Sequence, residues 1–304
     1  MSVLVLDARE VEELLTMAEC IEAMTDVLSA LARDELHQPL RPVVRPSQAK
    51  GLMGLMPAHR GGARAVYSLK EIVITPDNPT RGLDAHQGAV LLHDGETGEL
   101  RAILNASPIT AIRTAAVSAV ATRALARPGA RSVAIIGSGV QGQAHAEAMR
   151  AVLDDAEIRI WSRRDGGTAE EIVRAADIVC TCTTSREPVV RHEWLAAGAH
   201  VNAVGASVPT SRELTEETVR AATLVVDRRE SALNEAGELL IPGLGEDQIA
   251  AELGEVLTGA HAGRSSDDEL TVFKSLGLAV EDLAAAELVV RKARERGAGT
   301  EVSF

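Results

Sequence analysis

Gly137, Gly139 and Gly142 stand in the spacing GxGxxG within "VAIIGSGVQGQAHA", Val133 to Ala146. Glycines so spaced do their chemistry through the backbone. The first permits a tight turn, the second a close approach to a pyrophosphate, and the third close packing of a helix on a strand. Ser138, Val140 and Gln141 complete a loop that opens a helix, whose N-terminus offers N–H groups and partial positive charge to phosphates. The apolar run "RSVAIIG" ahead of it and "QAHAEAMRAVL" behind it supply the strand–turn–helix context that a bare match lacks. The next strand ends in Trp161, Ser162, Arg163 and Arg164, where an NAD-binding chain usually places a carboxylate for the ribose hydroxyls. Two guanidinium groups suit a 2′-phosphate instead, so NADPH is the preferred cofactor. Asp165 keeps NADH possible.

A second set of residues offers fixed positive charge. "RPVVRPS" holds Arg41 and Arg45, "YSLKEIVI" puts Lys70 in an apolar strand, and "ITAIRTAAVSAVATRALA" sets Arg113 at the start of an Ala-rich helix. A guanidinium grips a carboxylate with paired hydrogen bonds, and an ammonium among apolar neighbours can orient an acid and donate a proton. Lys70 alternates with Leu69 and Glu71, so an ordinary edge strand is the plain alternative for that residue alone. Arg113 lies just before the glycine-loop unit, which points to an interdomain position, a common setting for ligand sites. His59, Arg60 and Arg64 in "MPAHRGGAR" follow closely, and any one of them would suit a second carboxylate.

The elements that must carry these groups are of two kinds. The first third reads as α+β: Thr16 and Glu19 form a capping box for a helix from about Met17 to Arg33. Short apolar segments follow, and Asp94-Gly95 to Gly98 turns a hairpin; these strands are expected to be mostly antiparallel. From Val133 onward, strand-like runs at 133–136, 158–161, 178–182, 201–204 and 224–226 alternate with helices, the pattern of a helix-covered parallel sheet. A long helix over 278–296, following the sheet segment "TVFKSLG", returns to the first domain. The fold class is therefore α/β, a Rossmann-type domain over 114–277 inserted in an α+β substrate and dimerisation domain made of 1–113 plus 278–304. "RRDGG" runs straight into "TAEEIVRAADIV", so one βα unit of about 20 residues is missing after Arg164.

Composition narrows the function classes. Hydrophobic residues make up 46% and aromatics 2%, so the cores are built from Ala, Val, Leu and Ile. A net charge of −13 without a basic cluster argues against nucleic acid. No run of about 18 apolar residues exists to span a membrane. "MSVLVLDAREVEELL" interrupts any leader with Asp7, Arg9 and Glu10, so a cytoplasmic protein is expected. Cys20, Cys180 and Cys182 lack ligand spacing and read as packed, reduced thiols, Cys180 and Cys182 on one strand face. The eight His are scattered, and no metal is expected.

"ITAIRTAAVSAVATRALARP", "VAIIGSGVQGQAH", "GAHVNAVGASVPTSREL", "EAGEL" and "TVFKSLGLAVEDLAAA", in this order along nearly the whole chain, resemble the ornithine cyclodeaminase/mu-crystallin family. The resemblance implies a homodimer that handles small amino or imino acids. It assigns Arg45 and Arg113 to the substrate carboxylate, Lys70 to catalysis and Thr114 to the cofactor phosphates. Asn202 to Ser207, which includes Val204, Gly205 and Ala206, and Phe273 to Ser275, with Lys274, match segments lining the nicotinamide, and Thr183 is counted with the cofactor residues. Cyclising members carry Asp at Ser207 and Glu at Gly54. Their absence points to reduction of an α-imino acid, with Ser207 beside the substrate: a cyclic ketimine such as pyrroline-2-carboxylate or piperideine-2-carboxylate, or iminosuccinate. Alanine dehydrogenation, ornithine cyclisation, and a binding protein that holds NADPH and a small ligand are the alternatives.

Overall fold

The computed structural model describes residues 2–304, with the backbone alone at Arg64 and Pro79. The expectation placed on the Arg64 side chain thus lies outside what is described. The chain divides into two units, one of 1–113 with 278–304 and one of 114–277.

In the first unit, β1 (Ser2–Leu6), α1 (Ala8–Leu14), α2 (Met17–Ala32), β2 (Leu36–His37), β3 (Val43–Val44), β4 (Leu52–Arg60), β5 (Val66–Ile74), β6 (His86–Asp94) and β7 (Leu100–Asn105) lead into α3 (Ala106–Leu125). Two later elements belong here, α10 (Ala279–Arg296) and β15 (Thr300–Ser303). The sheet runs β15-β1-β7-β6-β5-β4-β2, with β3 on β4. Every pairing is antiparallel except β1 with β7. Strand β5 shows why: Val66, Ser68, Lys70 and Ile72 are buried, while Tyr67, Leu69, Glu71 and Val73 face the other way, the period of two that one covered face demands. The covering helices are α2 and α10, whose apolar sides are buried. Helix α10 stops at Gly297, where φ of 64° is open to glycine at little cost.

Two local expectations need correction. Thr16 is the N-cap of α2, but its hydroxyl binds the Glu19 carboxylate rather than the backbone. Glu19 is drawn to Lys292, and that pull replaces the capping box. Helix α3 begins at Ala106, so Arg113 sits two turns inside it. A helix buried on nearly all sides has no amphipathic edge to mark its start.

The second unit continues from α3 through β8 (Ser132–Ile136), α4 (Val140–Val152), β9 (Glu157–Trp161), α5 (Glu170–Arg174), β10 (Ile178–Thr181) and β11 (His200–Ala203). It is completed by α6 (Glu216–Ala221), β12 (Thr223–Val226), α7 (Arg229–Glu235), α8 (Gly237–Leu240), β13 (Ile249–Glu252), α9 (Leu253–Leu257) and β14 (Thr271–Lys274). All its pairings are parallel, in the order β13-β12-β14-β11-β10-β8-β9. β10, β11 and β14 are buried along their whole length, as parallel strands covered on both faces must be. The fold class is thus α/β, with a Rossmann-like parallel sheet in one unit and a mixed sheet in the other. Among the described residues β9 and β13 are the two edge strands, and a short 3-10 turn at Arg163–Asp165 and α5 lead from β9 to β10. No helix is long and apolar enough to cross a membrane.

Candidate active site

Lys70 sits at the middle of β5, opposite the buried residues Met56 of β4 and Val90 of β6, and is 2% exposed. Its ammonium lies 2.7 Å from Asp282 Oδ2 and 3.5 Å from the Thr110 hydroxyl. Arg113, 4% exposed on α3, donates Nε–H to Asp282 Oδ1 at 3.0 Å and an Nη1–H to Glu281 at 2.9 Å. Both carboxylates stand in the first turn of α10, where the helix dipole favours negative charge. The cap residue, Leu278, has no polar side chain, and Gln38 accepts from Val280 N–H at 3.0 Å instead. Burial pulls the Lys70 pKa down to about 8; Asp282 opposes that pull and Arg113 and Arg41 add to it.

Arg41, half-buried ahead of β3, is the arginine whose charge reaches Lys70. Its Cδ also lies beside Gly54, 3.8 Å from where a Cβ would stand. Arg45, assigned by the resemblance, stands exposed just beyond β3, and no ion pair to it is present among the described residues. The short strand β3, which pairs with Gly54 and Met53 of β4, separates the two arginines. The structure therefore brings Lys70, Arg113 and Arg41 together and leaves Arg45 outside.

His59 and Arg60 are also spoken for. His59 packs on Tyr67 with ring centroids 4.4 Å apart, and Arg60 pairs with Glu287. Met56 is the β4 partner of Lys70, so Arg60 is four residues, about 13 Å, further along the strand.

In the second unit the glycine loop follows the requirements of a phosphate cradle. Gly137 has φ of 120°, and a Cβ there would lie 2.4 Å from Cys182 O. A Cβ on Gly142 would meet Gly137 O at 1.9 Å, so helix and strand close only over glycine. Around Gly139, the N-cap of α4, a Cβ would meet nothing within 4 Å, and no side chain caps the helix. No capping side chain thus covers the N-terminus of this 13-residue helix. Ser138, Val140 and Gln141 lie in this turn, and Val140 is exposed. These residues fit a dinucleotide pyrophosphate.

Beyond β9, Ser162 caps the turn. Its N–H and hydroxyl donate to Asp165 Oδ2 at 2.6 and 2.9 Å. Asp165 is consumed by its own turn, while Arg163 and Arg164 are exposed, with no ion-pair partner among the described residues.

The remaining candidate cofactor residues are held by an acid that the sequence did not single out. Glu213, fully buried, accepts from Thr181 Oγ1 at 2.8 Å, Thr183 N and Oγ1 at 2.8 and 2.7 Å, and Gly205 and Ala206 N at 2.6 and 3.3 Å. Burial raises its pKa, and Lys274 is the foremost influence against that rise. Gly205 is required: a Cβ would lie 2.1 Å from Thr183 O. Val204 N–H donates to Thr181 O at 3.1 Å, carrying the loop off the end of β11. Lys274 donates to Ala206 O and pairs with Glu238 at 3.1 Å, so its side chain braces this loop instead of standing as a free cation. Asp227 does the same after β14, accepting from Leu276 and Gly277 N–H at 2.6 and 2.8 Å. Ser207 is half-buried one residue past Ala206, and Thr114 is buried on α3 next to Arg113.

Cys20 and Cys180 are buried thiols whose pKa values burial raises to about 12. Cys182 lies just past β10, half-buried, so only Cys180 is within the strand. Among the described residues no group of acids, His and Cys could hold a metal ion.

The chain is 41% identical to the ketimine reductase mu-crystallin of Mus musculus over 268 residues, 83% of this chain and 84% of the relative. The structure of Thermococcus litoralis Delta(1)-pyrroline-2-carboxylate reductase in complex with NADH and L-proline superposes with a TM-score of 0.93 at 34% identity, covering 99% of this chain and all of that one. An archaeal alanine dehydrogenase dimer with bound NAD gives 0.94 at 33% identity, covering the whole of both chains. The profile of the ornithine cyclodeaminase/mu-crystallin family matches residues 1–297, and the chain belongs to that family.

Proposed function

We propose that this enzyme, an NAD(P)H-dependent imine reductase, reduces a cyclic α-imino acid bearing one carboxylate, of the pyrroline-2-carboxylate or piperideine-2-carboxylate kind, and prefers NADPH. The observation that carries the reading is the buried pair of Lys70 and Arg113 against Glu281 and Asp282, with half-buried Arg41 near Lys70. Lys70 and Arg113 are donors already oriented by Asp282 and Glu281, and Arg41 adds positive charge on Lys70, a set that suits one substrate carboxylate. A dicarboxylate such as iminosuccinate would need another cation. His59 and Arg60 are committed elsewhere, which favours the monocarboxylate. Gly54 and Ser207 supply no carboxylate for cyclisation, in keeping with reduction.

Gly137 to Gly142 would hold the pyrophosphate, Arg163 and Arg164 the 2′-phosphate, and the loop braced by Glu213 the nicotinamide. Bound NADPH supplies the hydride. Arg113 and Arg41 would grip the substrate carboxylate, and Lys70 would keep the imine nitrogen protonated, leaving its carbon electrophilic. The half-buried row of Pro57, Leu69, Leu91, Ile103 and Val5 across five strands is the proposed homodimer face.

The test is NADPH oxidation across a panel of imino acids. Piperideine-2-carboxylate is expected to exceed iminosuccinate at least tenfold in kcat/KM, and Lys70→Ala to cut turnover by orders of magnitude. Iminosuccinate preference would overturn the charge argument, and near-normal turnover by Lys70→Ala would overturn the role of Lys70. No oxidation with any imine would favour a ligand-binding protein.

A further inference from the structure

An ammonium buried on every side tends to lose its proton, because desolvation penalises the charged form. The groups facing Lys70 come from several elements. Arg113 and Thr110 come from α3, Arg41 from the segment before β3, and His86, with Asp84 beside it, from β6. Cys20 of α2 lies near Arg113 and the two acids and stays a thiol. Arg113 and Arg41 push the proton off Lys70. Against them stands Asp282, whose two oxygens are divided, Oδ2 on Lys70 at 2.7 Å and Oδ1 on Arg113 at 3.0 Å.

We propose that Asp282 is a positioning residue for imine reduction: clamped between Lys70 and Arg113, it keeps Lys70 an ammonium and fixes the direction of its remaining N–H. Asp282 holds one side of the ammonium as an ion pair at 2.7 Å and the Thr110 hydroxyl lies 3.5 Å from it, which leaves its remaining side for the substrate. The divided carboxylate also locks the Arg113 fork relative to Lys70, so a substrate acid meets both cations in one register. This role rests on the reading of the chain as an imine reductase.

The charge state is open to direct measurement because the chain has only four lysines, Lys50, Lys70, Lys274 and Lys292. Protein labelled with 15N-lysine reports each Nζ by NMR, and Lys70→Arg identifies the Lys70 resonance. That resonance is expected to titrate near pH 8 in the natural chain and at least one pH unit lower in Asp282→Asn. The alkaline limb of kcat/KM for piperideine-2-carboxylate should move down with it, giving at least tenfold loss at pH 8 and recovery toward pH 6.5. A limb that persists in Lys70→Arg belongs to the substrate imine and is subtracted. An unmoved Nζ titration in Asp282→Asn overturns the proposal, as does a moved titration with an unmoved limb. Should Asp282→Asn not fold, Asp282→Glu decides: keeping a carboxylate, it must keep the titration near pH 8, and a shift of a unit or more overturns the role. If the natural chain reduces no imine, the functional reading fails, while the Nζ titration still shows whether Asp282 holds the charge.

Discussion

At the residue scale, the two arginines flanking β3 make opposite predictions. Arg41 is half-buried with its charge on Lys70, and Arg45 is exposed. A charge-assisted hydrogen bond contributes about 1.5–3 kcal/mol, so Arg41→Ala should raise KM for the imine by ~10-fold or more, with NADPH binding unchanged. Arg45→Ala should stay within about twofold, at the scale of exposed charges. Steady-state kinetics on both variants checks this, and the reverse ranking would restore Arg45 to the site. The residue types were legible in the sequence, whereas their side was not. "RPVVRPS" has no periodicity to say which arginine turns inward, since Arg41 and Arg45 flank the same two-residue strand. Glu213, Asp227 and Asp282 were hidden for a related reason. A buried acid looks like any surface acid until the N–H groups it accepts from are folded around it.

At the element scale, the turn after β9 separates the two cofactors. Asp165 closes that turn on Ser162, while Arg163 and Arg164 stay exposed and unpaired among the described residues. Replacing both arginines by Ala should lower kcat/KM for NADPH at least tenfold, about 1.4 kcal/mol or more, and that for NADH less than threefold. Equal losses with both cofactors would count against 2′-phosphate recognition. Most elements of the second unit could be read in advance, because β8 and β10 carry apolar residues on both faces and the glycine loop marks the first turn. β13 escaped that reading: "IAAE" is four residues with little apolar bulk, and its place at the sheet edge comes from pairing with β12. Helix α3 hid its start in the same way, since alanines buried all round give no period.

At the scale of the whole molecule, 44 acidic residues against 31 basic ones make the Lys70 cluster a local exception to the charge of the chain. Under the proposed function such positive charge would draw an anionic substrate toward it. The mixed sheet gives the matching argument for assembly. Its covered face carries Lys70 toward α10, and its opposite face carries Pro57, Leu69, Leu91, Ile103 and Val5 in one register across β4, β5, β6, β7 and β1. Rows of this kind on a sheet face are typical of the apolar centre of an obligate interface, and in a two-fold dimer each copy presents the same row. Leu69→Glu or Leu91→Glu would then place like charges within one desolvated patch. Sedimentation of the natural chain at micromolar concentration should give about twice the 32.0 kDa of one chain. Either variant should sediment as a single chain, with far-ultraviolet circular dichroism unchanged and NADPH binding through the glycine loop retained. A natural chain that sediments as one copy, or variants that keep the doubled mass, would remove this face as the dimer contact.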